Sequence, residues 1–72
     1  MSKTTVICIE NKVYEASLEK RKIYIGLWDS RAEKEGLMRV IDESGEDYLY
    51  PKSLFRAITL PQTVKRAVLA AA

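Results

Sequence analysis

The apolar positions of this chain fall in short runs separated by polar turns, and each run has its own period. Thr4 to Ile9 is dominated by β-branched residues and is bounded by Glu10-Asn11-Lys12, which predicts a first strand and then a turn. From Val13 to Lys22 the apolar positions Val13, Ala16 and Leu18 keep neither a helical nor a strand period, so this stretch reads as a loop with some strand. From Lys22 to Trp28, Ile23, Ile25 and Leu27 alternate with Tyr24, Gly26 and Trp28. That period of two predicts a half-buried strand with its three aliphatics inward and Tyr24 and Trp28 on the other face.

Asp29 to Gly36 changes character. Ser30 and Glu33 have the spacing of a capping box, the residues between them are good helix formers, and Gly36 can take the left-handed conformation that ends a helix. One or two helical turns follow from this, burying little besides Ala32. Leu37 to Ile41 and Asp47 to Tyr50 then read as a hairpin. A two-residue turn at Ser44-Gly45 would set Glu43 against Glu46 and Asp42 against Asp47, two like-charge pairs. A type I turn at Glu43-Ser44 with Gly45 as a left-handed bulge instead sets Ile41 opposite Asp47 and Val40 opposite Tyr48, and is the turn expected. Pro51 cannot donate to a ladder and closes the strand; Lys52 to Phe55 has the length of one tight turn, and Arg56 to Leu60 reads as a last short strand. Beyond Pro61, the spacing of Val64, Ala67, Val68 and Ala71 predicts a short amphipathic helix.

The stretch from Gly36 to Ile58, GLMRVIDESGEDYLYPKSLFRAI, resembles the closing hairpin, single helical turn and last strand of an SH3-like barrel, in which a Gly-containing hairpin precedes a Pro-Ser-Asn-Tyr-Val type turn. Its part from Leu37 to Pro51 is also similar to a phrase in a family of small uncharacterised bacterial proteins. The resemblance implies a mainly β fold: a small five-stranded SH3-like barrel over residues 1–60 with a short helical insertion, and a C-terminal helix over 61–72 packed on it in a single domain. It implies no activity. Pro51 matches the Pro of the turn, but Leu54 stands where the Tyr should be and Leu37-Met38 stand where a ligand-binding Trp belongs, so proline-rich peptide binding is not carried over.

With 47% hydrophobic and 31% charged residues, the composition is that of an ordinary globular domain rather than a disordered tail. A chain of 72 residues has a thin core. Cys8 is the single cysteine, which rules out an internal disulfide; it is buried if Val6 faces inward with it and exposed if Ile7 and Ile9 do, and the general preference of free cysteine for interiors favours burial. No apolar run approaches a bilayer span or a signal-peptide core, and a cytoplasmic location is expected.

The chain has no histidine, the most frequent general base and metal ligand, and its three glycines form no phosphate-cradling spacing. A non-catalytic role without cofactors is expected. Asp42, Glu43, Glu46 and Asp47 cluster at the hairpin tip, where they read as a solvated turn, a patch for a basic partner, or oxygen ligands for a hard cation such as calcium. Their repulsion suggests that neutralising Glu43 relieves the turn. The leading functional expectation is a protein-interaction module or small subunit, with Trp28, Tyr48, Tyr50, Pro51 and Phe55 as contact residues. The alternative is a nucleic-acid-binding barrel using Lys20, Arg21, Lys22, Arg31 and Lys34, since small barrels bind nucleic acid where bases gather beside aromatics. The near balance of 12 bases and 10 acids does not announce such a partner. The partner is expected to be another protein, with no membrane involved; a monomer is expected, and a dimer through the C-terminal helix is the other possibility.

Overall fold

A computed structural model describes residues 2–70. The protein is mainly β. Its strands are β1 (Lys3–Cys8), β2 (Ile23–Leu27), β3 (Leu37–Ile41), β4 (Asp47–Pro51) and β5 (Phe55–Ala57), with helix α1 (Ser30–Lys34) between β2 and β3, and helix α2 (Gln62–Ala70) after β5. All pairings are antiparallel and the order across the sheet is β4-β3-β2-β1-β5. The sheet has two edges, β4 and β5, and does not close into the ring expected of a barrel.

Cross-strand partners share a face, so the register sorts the side chains. Val6 opposes Tyr24, Cys8 opposes Phe55, and Met38 opposes Tyr50. Val6, Cys8, Tyr24, Tyr50 and Phe55, with Val40, Leu18 and Leu54, are the core, and Met38 packs partly buried against it. Tyr24, Tyr50 and Phe55 meet edge to face at centroid separations of 6.4 and 6.2 Å, and Tyr14 meets Tyr50 at 5.2 Å. Cys8 is fully buried beside Val6, the outcome that the preference of free cysteine for interiors favoured.

β2 turns its faces opposite to the expectation. Tyr24 points into the core, and Ile23, Ile25 and Leu27 lie on the other face with Ile7, Ile41 and Leu49. That second face is also apolar, and α2 covers part of it: Val68 borders a groove of about 450 Å³ with Ile23, Ile25 and Ile41. Two apolar faces leave alternation unable to say which is inside. The tyrosine goes inward because its hydroxyl reaches polar groups at the end of the core, where it donates to Glu43 Oε2 at 2.6 Å and accepts from the Glu19 N–H at 2.7 Å.

α2 is rotated from its expected orientation as well. Lys65, Val68 and Leu69 are its half-buried positions, whereas Val64 is 45% exposed. Ala71, the last position of the expected stripe, lies outside the described residues.

The hairpin forms as its sequence requires. Ile41 opposes Asp47, Val40 opposes Tyr48, the Gly45 N–H donates to the Asp42 carbonyl at 3.0 Å, and Gly45 has φ +84°. A single 3-10 turn, Lys52–Leu54, follows Pro51, and the last strand begins at Phe55 and ends at Ala57, earlier than Arg56 to Leu60. α1 is capped one residue before the expected position: the Asp29 carboxylate accepts from the N–H groups of Arg31 and Ala32. Gly36, φ +71°, ends it and Ala32 is its buried residue.

The segment from Val13 to Lys22 contains turns and no strand. Its Leu18 is nevertheless fully buried. Asn11 Nδ2 donates to the Leu18 carbonyl at 2.9 Å, the Leu18 N–H to the Tyr14 carbonyl at 2.9 Å, and the Glu43 N–H to the Ser17 carbonyl at 3.1 Å. These bonds fold the loop over the open end of the sheet and seat Leu18 as its plug.

Candidate functional site

The five expected contact residues do not come together on one surface. Tyr50 is 5% exposed and Phe55 3%, so both are core residues, held there by the aromatic cluster. Pro51 is half-buried at the end of β4. Trp28 and Tyr48 remain outside, 59% and 50% exposed.

Trp28 stands where β2 hands over to α1. Its N–H donates to the Ser2 carbonyl at 2.9 Å, and the next residue, Asp29, caps α1. Arg39 holds this corner rigid: Nε and Nη2 donate to Asp29 Oδ2 at 3.3 and 3.2 Å, while Nη1 donates to Asp47 Oδ2 at 2.9 Å. One guanidinium thus ties the helix cap to β4. The N–H of Ala32 chiefly, and Arg39 after it, hold the Asp29 carboxyl below its ordinary range. Trp28 borders a cleft of about 50 Å³ with Gly26, Ala32, Leu37 and Met38. Gly26 leaves that floor low, since a Cβ there would stand 3.3 Å from Thr4 Cγ2 and 3.4 Å from Met38 Sδ.

The four acids of the hairpin tip are engaged by different partners. Asp42 is 7% exposed and accepts from the Ser44 N–H at 2.9 Å, from Ser44 Oγ at 2.5 Å and from Tyr50 Oη at 2.5 Å. Burial works against its charge, but these hydrogen bonds outweigh burial and its pKa lies below the usual value. Glu43 accepts from Lys22 Nζ at 2.8 Å and from Tyr24 Oη, and Lys22 first, Tyr24 second, hold its pKa down. Burial, followed by the Glu43 hydrogen bond among the raising influences, pushes the Tyr24 phenol well above its ordinary value. Glu46 accepts from Tyr48 Oη at 2.9 Å, and Asp47 from Arg39. Each acid has its own partner, so Glu43 anchors the turn instead of straining it. Among the described residues no three His, Cys, Asp or Glu side chains are placed to share a metal ion.

The basic residues divide into two groups. Lys20, Arg21 and Lys22 precede β2, and Arg31 and Lys34 follow it on α1, so the whole length of β2 separates them. Lys22 is engaged by Glu43 and Glu19. The sequence places these bases close in number, but the length of β2 stands between the two groups. The Glu43, Asp42 and Leu18 contacts had only weak signals in the sequence: an aliphatic isolated in a polar loop, and acids too many for one turn.

Among the described residues no helix is long and apolar enough to cross a membrane. Comparison with protein-family models, with curated proteins and with solved structures finds no match for the chain.

Proposed function

We propose that the chain is a non-catalytic protein-interaction module, or small subunit, built on an SH3-like scaffold. The strand order, with a 3-10 turn between β4 and β5, supports the scaffold reading. The observation that carries the interaction reading is Trp28, the one tryptophan of the chain, standing 59% exposed on a corner braced by the Asp29–Arg39–Asp47 ion pairs. A large amphipathic ring on rigid backbone loses little entropy on docking, and tryptophan is enriched among the residues that dominate interface energies. Gly26 and Met38 provide a recess beside the ring for a partner's apolar side chain.

The test uses the affinity-tagged chain recovered from its native cells beside a Trp28→Ala variant. A protein that copurifies with the parent and not with a variant of unchanged melting temperature supports the reading. Its binding should shift the emission of Trp28 to the blue. Retention of the partner by the variant, or bound nucleic acid released steeply by salt, overturns it.

A further inference from the structure

We propose that β4 is a docking edge for a second copy of this chain, paired antiparallel about Tyr48. The reasoning begins with where the hydrogen bonds of β4 point. The Asp42 N–H donates to the Glu46 carbonyl at 3.1 Å and the Lys52 N–H to the Gly36 carbonyl at 2.9 Å, one at each end of the β3–β4 ladder. Antiparallel bonding alternates, so Tyr48 and Tyr50 bond β3 while the N–H and C=O groups of Asp47 and Leu49 point away from the sheet. Among the described residues those outward groups meet no partner, and Asp47, Tyr48 and Leu49 are all exposed.

The other edge is guarded. In β5 the Phe55 N–H is bonded back to the Lys52 carbonyl, and the Phe55 carbonyl accepts from Arg56 Nη1 at 2.8 Å. Head-to-tail pairing of β4 with β5 of another copy therefore has only the outward groups of Ala57 as a template, whereas a two-fold pairing of β4 with itself uses two residues of each strand.

Centred on Tyr48, such a pairing sets Asp47 opposite Leu49 of the other copy and Leu49 opposite its Asp47. All four outward groups of each strand are then used, in four hydrogen bonds. Pro51, which has no N–H, falls just beyond the pairing and ends it. The side chains agree with this register. Tyr48, 50% exposed, meets the other copy's Tyr48, and no acid lies directly opposite an acid; the two Asp47 residues are diagonal neighbours, each already paired with its own Arg39. Glu46, which flanks the strand on the Tyr48 side, comes opposite the other copy's Tyr50 and not opposite an acid. On the opposite face Leu49, 44% exposed, has the other copy's Leu49 as a diagonal neighbour. Three residues in each strand make a small interface, so association in the range of about 0.1 to 1 mM is expected.

The self-facing position supplies the experiment. Tyr48→Lys and Tyr48→Asp each place like charges against themselves, yet complement one another when mixed. Sedimentation equilibrium of the parent chain should show reversible dimers, each variant alone should associate about tenfold more weakly, and an equimolar mixture should recover dimers. Thermal melts of both variants confirm that they fold, which the exposure of Tyr48 favours. Tyr48→Cys should also form an interchain disulfide on mild oxidation, since Cys8 is buried and a directly opposed, non-hydrogen-bonded pair has suitable spacing. A parent chain that stays monomeric at about 1 mM overturns the proposal. So does a mixture that associates no better than its components, or a dimer insensitive to Tyr48 but lost when the residues after Leu60 are removed.

Discussion

The phenol of Tyr50 donates a 2.5 Å hydrogen bond to Oδ2 of Asp42, inside the protein and across the hairpin that separates them. Asp42 uses its other oxygen for the N–H and hydroxyl of Ser44. The carboxylate therefore both builds the turn and satisfies a buried tyrosine, which joins the hairpin tip to the core. Tyr50→Phe should destabilise the fold by about 1.5 to 3 kcal/mol, since it removes a bond to a charged group and leaves a buried carboxylate oxygen unsatisfied. A double-mutant cycle with Asp42→Ala, read by urea denaturation, should show the two losses to be strongly non-additive.

Acid should weaken the protein through the same groups. Asp29, Asp42 and Glu43 ionise below their ordinary values of 3.8 for aspartate and 4.5 for glutamate. In the acid range the unfolded chain then binds more protons than the folded one. Their contribution is fully present above the ordinary values and disappears as pH falls through the lowered ones. The urea midpoint should be level above about pH 5 and decline below it, and Glu43→Gln should make the decline shallower. At neutral pH Glu43→Gln should cost about 0.5 to 1.5 kcal/mol, because it weakens the bonds from Lys22 and Tyr24. A gain in stability would return the tip to the simple repulsion that its run of acids suggests.

Leu18 should behave as a core residue in spite of its place in a loop. Leu18→Ala is expected to cost about 2 to 5 kcal/mol, the range for emptying a buried leucine site. Val13→Ala, at an exposed position in the same loop, should cost far less. Equal effects on the denaturation midpoint would show that the loop does not close the core.

Gly45→Val should lower stability by about 1 to 3 kcal/mol, and the cause is conformational alone. Gly45 has φ +84° and nothing stands within 4 Å of a Cβ built there, so a branched side chain has space but not the backbone. Gly45→Asn should recover much of the loss, since asparagine tolerates the left-handed region. An unchanged midpoint for the valine variant would contradict this turn.

Removal of the residues after Leu60 should uncover Ile23, Ile25 and Ile41 beside the Val68 groove. Thermal stability should fall by the same amount at low and high protein concentration, because the contact is made within one chain. Binding of a hydrophobic dye to the shortened protein should rise. A loss that appears only in concentrated solution would assign the helix to assembly between copies.

Local rules settled much of this fold. β-branched runs, a glycine at the required left-handed position and a proline that stops a strand act over a few residues, and the strands, the three-residue turn and the helix ended by Gly36 were legible from them. Only the tertiary structure decided which face of β2 is the core, that Leu18 plugs the open end, that Tyr50 and Phe55 are unavailable to a partner while Trp28 is free, and that Lys20 to Lys22 stand a strand away from Arg31 and Lys34. Alternation specifies that two faces differ and not which is inside; when both are apolar, the choice falls to the polar atoms at their ends. For Tyr24 those are Glu43 and the Glu19 N–H, brought to its hydroxyl by a loop and a hairpin whose meeting no local pattern encodes.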